Sequence, residues 1–179
     1  MPTCCGCHAS SDYGTSELTG DGSKESPYSY RQIDPEFIKP IARVVRTANL
    51  AIPNNTPTAV SWQASDFLTQ VSMFNLVDDT RITLPVDGFY LMGLNSQWAQ
   101  SSARRETYFR LNGITELNRH TAFNSSAVDH IFTHSHVWYF NALDYLEVVA
   151  LQTSGGNLNL ISSASTPSSF WVMYLGKKV

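Results

Sequence analysis

Beyond residue 7 the chain has no cysteine, it holds no apolar run long enough to cross a bilayer, and only 15% of its 179 residues are charged. Each shortage excludes something. With the thiols confined to Cys4, Cys5 and Cys7, no disulfide can staple the body of the chain to itself. A spanning helix needs ~20 consecutive apolar residues, so membrane insertion is not expected. The N-terminus also lacks the charged start and apolar core of a cleaved secretory signal, and export by that route is not expected. Globular chains average about 25% charged residues. A chain this poor in charge must build its polar surface from Ser, Thr, Asn and Gln, which suits assembly through broad, flat faces. With 12 Lys+Arg against 15 Asp+Glu, the net charge of -3 gives no pull toward nucleic acid or anionic lipid. Arg104, Arg105 and Arg110 form the one local basic cluster, and they read as a solvated loop and strand edge.

Helical periodicity is also missing, since no segment sustains it past two turns. Short alternating stretches stand in its place: Ile41–Ile52, Thr58–Trp62, Val71–Leu76, Arg81–Leu84, Phe89–Trp98, Glu106–Leu111, His130–Phe140, Tyr145–Leu151, Leu158–Ile161 and Phe170–Leu175. A loop is expected around Ser65 to Gln70. With 42% hydrophobic residues the chain can bury one core. The pattern predicts an all-β sandwich or jelly roll of about eight to ten antiparallel strands. Residues 41–179 form this body, and residues 1–40 are an extended arm and linker. Four of the ten glycines fall before residue 31, among Ser, Thr and Asp, so the arm cannot bury enough to order itself and should order on a partner.

The richest stretch is Asp78–Gly93, DDTRITLPVDGFYLMG. An alternating strand ends at Pro85, a turn follows at Asp87-Gly88, and an aromatic strand begins at once, which reads as an antiparallel pair. Asn112-Gly113 is a second turn of hairpin type. The spacing of Ile82, Leu84, Pro85, Val86, Gly88, Phe89 and Tyr90 resembles a "thr-x-pro-val-x-gly-x-tyr" segment of the tumour necrosis factor and complement globular-head superfamily. Tyr108–Gly113 resembles that superfamily's strand and polar turn. Val137–Leu151 resembles two strands around a turn at Asn141–Asp144, with Ala142 where relatives carry glycine. Ser169–Gly176 resembles the last core strand, which in relatives lies beside the first.

The resemblance implies a non-enzymatic jelly roll, without cofactor, that assembles as a homotrimer. Period two puts Phe89, Leu91, Gly93 and Asn95 on one side of their strand and Tyr90, Met92, Leu94 and Trp98 on the other. A strand apolar on both sides calls for cover from a neighbouring subunit. Tyr90, Trp138, Tyr139, Trp171 and Tyr174 are the candidate interface aromatics.

Within the arm, Leu18–Tyr30 carries Thr19, Gly20, Gly22, Pro27 and Tyr28 at a spacing that resembles a short repeat of bacteriophage virion proteins, in which the segment precedes a globular knob. This resemblance implies a virion protein exposed on the particle. The arm would dock on other virion proteins, and the knob would serve as a tail fibre or spike tip that meets a host receptor or glycan, or as a capsid decoration. A secreted cytokine-like ligand and a carbohydrate-cleaving spike enzyme are the alternatives.

Two groups carry metal-ligand chemistry. Cys4, Cys5, Cys7 and His8 are too close together for one chain to fill a tetrahedral site, which leaves a plain tail, interchain disulfides or a metal shared at a threefold axis. His134 and His136 are two apart on a strand, point the same way and could chelate one ion; hydrogen-bonded polar positions or a pH-sensitive interface explain them as well. Asp78, Asp79, Asp129, Asp144 and Glu147 are the acids a glycosidase could pair, and turn and edge chemistry accounts for them equally.

Overall fold

A computed structural model describes residues 39–123 and 128–178, together with the backbone of two short strands before them. The chain divides into two units, Met1–Ile38 and Lys39–Val179. In the first, β1 (Ser16–Thr19) pairs antiparallel with β2 (Ser29–Gln32), bringing Thr19 opposite Ser29.

The second unit is a sandwich of two antiparallel sheets. One is built from β4 (Leu50–Ile52), β13 (Leu158–Ile161), β8 (Gly88–Ser101), β14 (Ser168–Gly176), β3 (Ile41–Arg46) and β6 (Ala64–Leu68), with β11 (Val128–Phe140) on the other side of β8. The other holds β10 (Thr115–Phe123), β9 (Arg104–Leu111), β12 (Tyr145–Gln152), β5 (Thr58–Ala59) and β7 (Arg81–Thr83). The last strand lies beside the first, with Phe170 opposite Val44 and Val172 opposite Ala42. Alternation explains the core. Tyr90, Met92, Leu94 and Trp98 of β8 face inward and are buried, and Phe109, Leu146 and Val148 meet them from the other sheet. Trp62 and Phe170 pack with centroids 5.9 Å apart, and Phe170 stacks on Phe109 at 5.8 Å.

Four expectations change. The segment around Asp87-Gly88 is not a hairpin, because β7 pairs with β12 while β8 pairs with β14 and β11. The turn instead carries the chain from one sheet to the other. Gly88 has φ +150°, and a Cβ there would lie 2.4 Å from the Tyr174 ring, so only glycine fits the crossing. Val71–Leu76 is not a strand; Val71–Met73 makes a 3-10 turn whose only buried residue is Met73. The loop expected at Ser65–Gln70 is largely β6. Finally β10, unforeseen, lies along β9 through the turn at Asn112, Gly113 and Ile114, where Asn112 and Gly113 both have positive φ (51° and 72°) and the Ile114 N–H donates to the Leu111 carbonyl at 3.0 Å.

Candidate functional site

The outward side of the larger sheet is apolar across four strands. Val137, Leu91, Met173 and Ile41 stand in register on β11, β8, β14 and β3 and form one row. Beside it Phe89 meets Tyr139 edge to face at 5.4 Å. In the next row the indole of Trp171 lies across Gly93, flanked by Ser135 and Arg43. Phe89 is 37% exposed and Val137 47% exposed, so this face meets solvent in a single copy. Farther along the same sheet the surface turns polar. A cleft of about 310 Å³ opens there, lined by Arg43, Asn95, Gln97, Ile131, Thr166 and Ser168.

A second notable region is the open side of the sandwich, where the edge strands β10 and β11 face each other. A bulge between Leu117 and His120, with Asn118 at φ +46°, turns His120 inward on the same side as Leu117. His120 stacks on Phe132 at 4.6 Å and meets His134 edge-on at 5.5 Å, and His134 packs against Phe109 at 5.0 Å. Both His134 ring nitrogens and Nδ1 of His120 are buried without a hydrogen-bond partner among the described residues. Burial holds the His134 imidazole down at about 4, and His120 beside it adds to the shift. His130 is lowered too, by burial first and then by the charge of Arg105.

The outward side of the smaller sheet carries an ion network. Glu106 receives Arg104 at 3.1 Å and is also bridged by Arg119, whose guanidinium lies 4.4 Å over the Tyr108 ring and pairs with Glu116. Glu116 is held below the ordinary carboxylate range by its hydrogen bond from Arg119. Arg105, between these strand neighbours, is buried on the inward side; the basic cluster is therefore not a solvated edge.

No family model and no curated protein matches the sequence. Solved structures do. Murine APRIL at pH 5.0 superposes with a TM-score of 0.60 at 12% identity, over 76% of this chain and 99% of that one. The globular domain of zebrafish complement 1qA gives 0.57 at 15% identity, over 78% and 100%. Eiger TNF from S. frugiperda gives 0.56 at 13%, over 79% and 95%. The fold is the TNF-like jelly roll.

On this TNF-like sandwich the five candidate interface aromatics separate by parity. Tyr139 and Trp171 stand on the outward face. Tyr90 has no exposed surface to offer a partner. It sits in the chain's own core and donates its hydroxyl to the Val86 carbonyl at 2.9 Å, and burial pushes the phenol up to about 12. Tyr174 packs on it edge to face at 5.2 Å. Trp138 shares the inward parity but lies on an edge strand, 46% exposed and stacked on His136 at 5.6 Å. Sequence reasoning missed the aliphatic members of the outward row, Leu91, Val137 and Met173. Their signal was the same two-residue period, read for aromatics alone.

His134 and His136 do share a side of β11, yet their rings take different neighbours, Phe109 and Trp138. Among the described residues no group of three or more metal-ligating side chains occurs. Four of the five candidate acids are individually engaged. Asp78 bridges Arg81 at 2.6 Å, Asp129 accepts from Gln97, Asp144 accepts from the Asn141 backbone and Asn112, and Glu147 holds Arg110 at 2.9 Å. Cys4, Cys5, Cys7, His8, Gly20, Gly22, Pro27 and Tyr28 lie outside the described residues. Among the described residues no helix is long and apolar enough to cross a membrane.

Proposed function

We propose that the chain is a non-enzymatic virion structural protein whose TNF-like body closes into a homotrimer through the outward face of the larger sheet. The observation that carries the assembly is the row Val137–Leu91–Met173–Ile41 with Phe89, Tyr139 and Trp171 beside it. Fully desolvating a side chain of that size contributes about 1.5–3 kcal/mol, so a face of seven supplies a strong drive to be covered. A closed ring of copies hides such a face without leaving a growing end. The resemblance of Thr19, Gly20, Gly22, Pro27 and Tyr28 to a phage virion repeat supports the particle role, with the arm docking on other virion proteins. The knob then acts as tail fibre or spike tip for host attachment, through a surface receptor or glycan, or as capsid decoration. Low charge and a Ser/Thr/Asn-rich surface suit either task.

Sizing by light scattering tests the assembly, and a monomer at micromolar concentration overturns it. Removing residues 1–40 tests the arm: the trimer should persist while incorporation into particles is lost, and normal incorporation of the truncated chain refutes the docking role. The similarity to APRIL and Eiger TNF favours a second reading, a secreted cytokine-like trimeric ligand. Cell-surface binding by the purified body in the absence of any particle partner would support that reading over the first.

A further inference from the structure

Among the described residues, the seam between β10 and β11 is the one place in the sandwich interior where imidazoles replace aliphatic side chains on both facing edges. It is closed by few ties. Among the described residues, Asn118 Nδ2 donates to the Ser135 carbonyl at 3.2 Å, and His120, Phe132, His134 and Phe109 pack ring against ring. Three buried imidazole nitrogens there lack an acceptor or donor among the described residues. A neutral ring tolerates that position because its faces are apolar and its neighbours are phenyl rings. An imidazolium does not, since two N–H groups and a full charge would be buried without a partner.

Among the described residues the surroundings supply no compensating anion. From β9 the inward groups are Arg105, Thr107 and Phe109; from β10, Leu117 and His120; from β8, Leu94, Ser96 and Trp98; and from β11 itself, His130 and His136. The titratable and charged ones are all cationic or basic. Of the acids on these strands, Glu106 faces outward to Arg104 and Arg119, Glu116 is tied to Arg119, and Asp129 is exposed and accepts from Gln97. We propose that this seam is an acid-sensitive latch, closed while His134 is neutral and opened at the β10–β11 edge when it is protonated. Opening gives the rings water and separates the two edge strands while the paired strands of each sheet stay together. The inference stands apart from the oligomeric state and from any role on a particle.

Hydrogen exchange of the full chain, read by mass spectrometry as protection factors, tests it at about pH 7.5 and about pH 4.5. If an open seam restores the ordinary value of 6.5 and the closed seam holds about 4, proton linkage raises the opening equilibrium roughly 70-fold across that interval. Protection in β10 and β11 should fall by that order, while β3 and β14 keep theirs. His134→Phe, which preserves the packing against Phe109, should hold β10 and β11 protection nearly constant. Unchanged wild-type protection, an equal acid loss in His134→Phe, or a parallel loss in β14 each overturns the latch. Should that variant fail to fold, proton NMR of the wild type decides: exchange broadening of the Phe109 and Phe132 ring signals over the same pH interval supports it, and sharp unchanged signals refute it.

Discussion

The indole of Trp171 lies so close to Gly93 that a Cβ added to the glycine would come within 2.1 Å of the ring. The two residues are cross-strand partners on β14 and β8, and the missing side chain of one is the seat of the other. Gly93→Ala should therefore lift the indole off the sheet, costing about 1–3 kcal/mol as overpacking does. Chemical denaturation measures it. Trp171→Ala added to Gly93→Ala should restore part of the loss, and strict additivity of the two would contradict the contact.

The outward row makes a sharper demand. A carboxylate at Leu91, Val137 or Met173 costs little in a lone copy, because each side chain already reaches toward solvent at the sheet surface. Buried between copies, it would be an unpaired charge worth several kcal/mol. Leu91→Asp should leave the circular dichroism spectrum intact and drop the scattering mass to that of one chain. Retention of the wild-type mass would remove this face from the interface.

Leu143 holds φ +70° in the turn between β11 and β12, with its own side chain 76% exposed. A non-glycine residue in that region costs about 1–3 kcal/mol, and little packing is lost with the side chain. Leu143→Gly should raise stability by about 1 kcal/mol in equilibrium unfolding, whereas Ala142→Gly, one residue earlier, should lower it slightly.

Stability should also fall in acid. The His134 value is depressed in the folded chain, so as pH drops below 6.5 the unfolded chain takes up a proton that the folded one refuses until about 4. The folded state loses at most about 1.4 kcal/mol per pH unit through that window from this group, and nothing more from it below. His134→Phe should flatten the profile of melting temperature between those limits. An undiminished slope would place the acid sensitivity elsewhere.

Legibility in the sequence followed the size of the local signal. The two-residue period of Phe89–Trp98 was strong, and its faces are as read. Asn112-Gly113 announced its hairpin because few other dipeptides accept two positive φ values. The strand TELNRHTAF gave no warning: only Leu117 within it is buried, and an edge strand wet on one side carries little apolar alternation. Arg105 looked like part of a surface cluster because charge is visible in a sequence and inward parity beside a bulged hairpin is not.

Composition, period and turn chemistry determined by themselves that this chain is all-β, rich in short strands, and equipped with more apolar strand face than one core consumes. Each of those properties is set by residues within a few positions of one another. Tertiary structure alone decided that Asp87-Gly88 crosses between sheets, that Tyr90 turns inward while Tyr139 and Trp171 turn outward, and that His120 meets His134. Those outcomes depend on which distant strand completes each backbone ladder, and the hydrogen-bonding groups of the backbone are the same at every residue but proline.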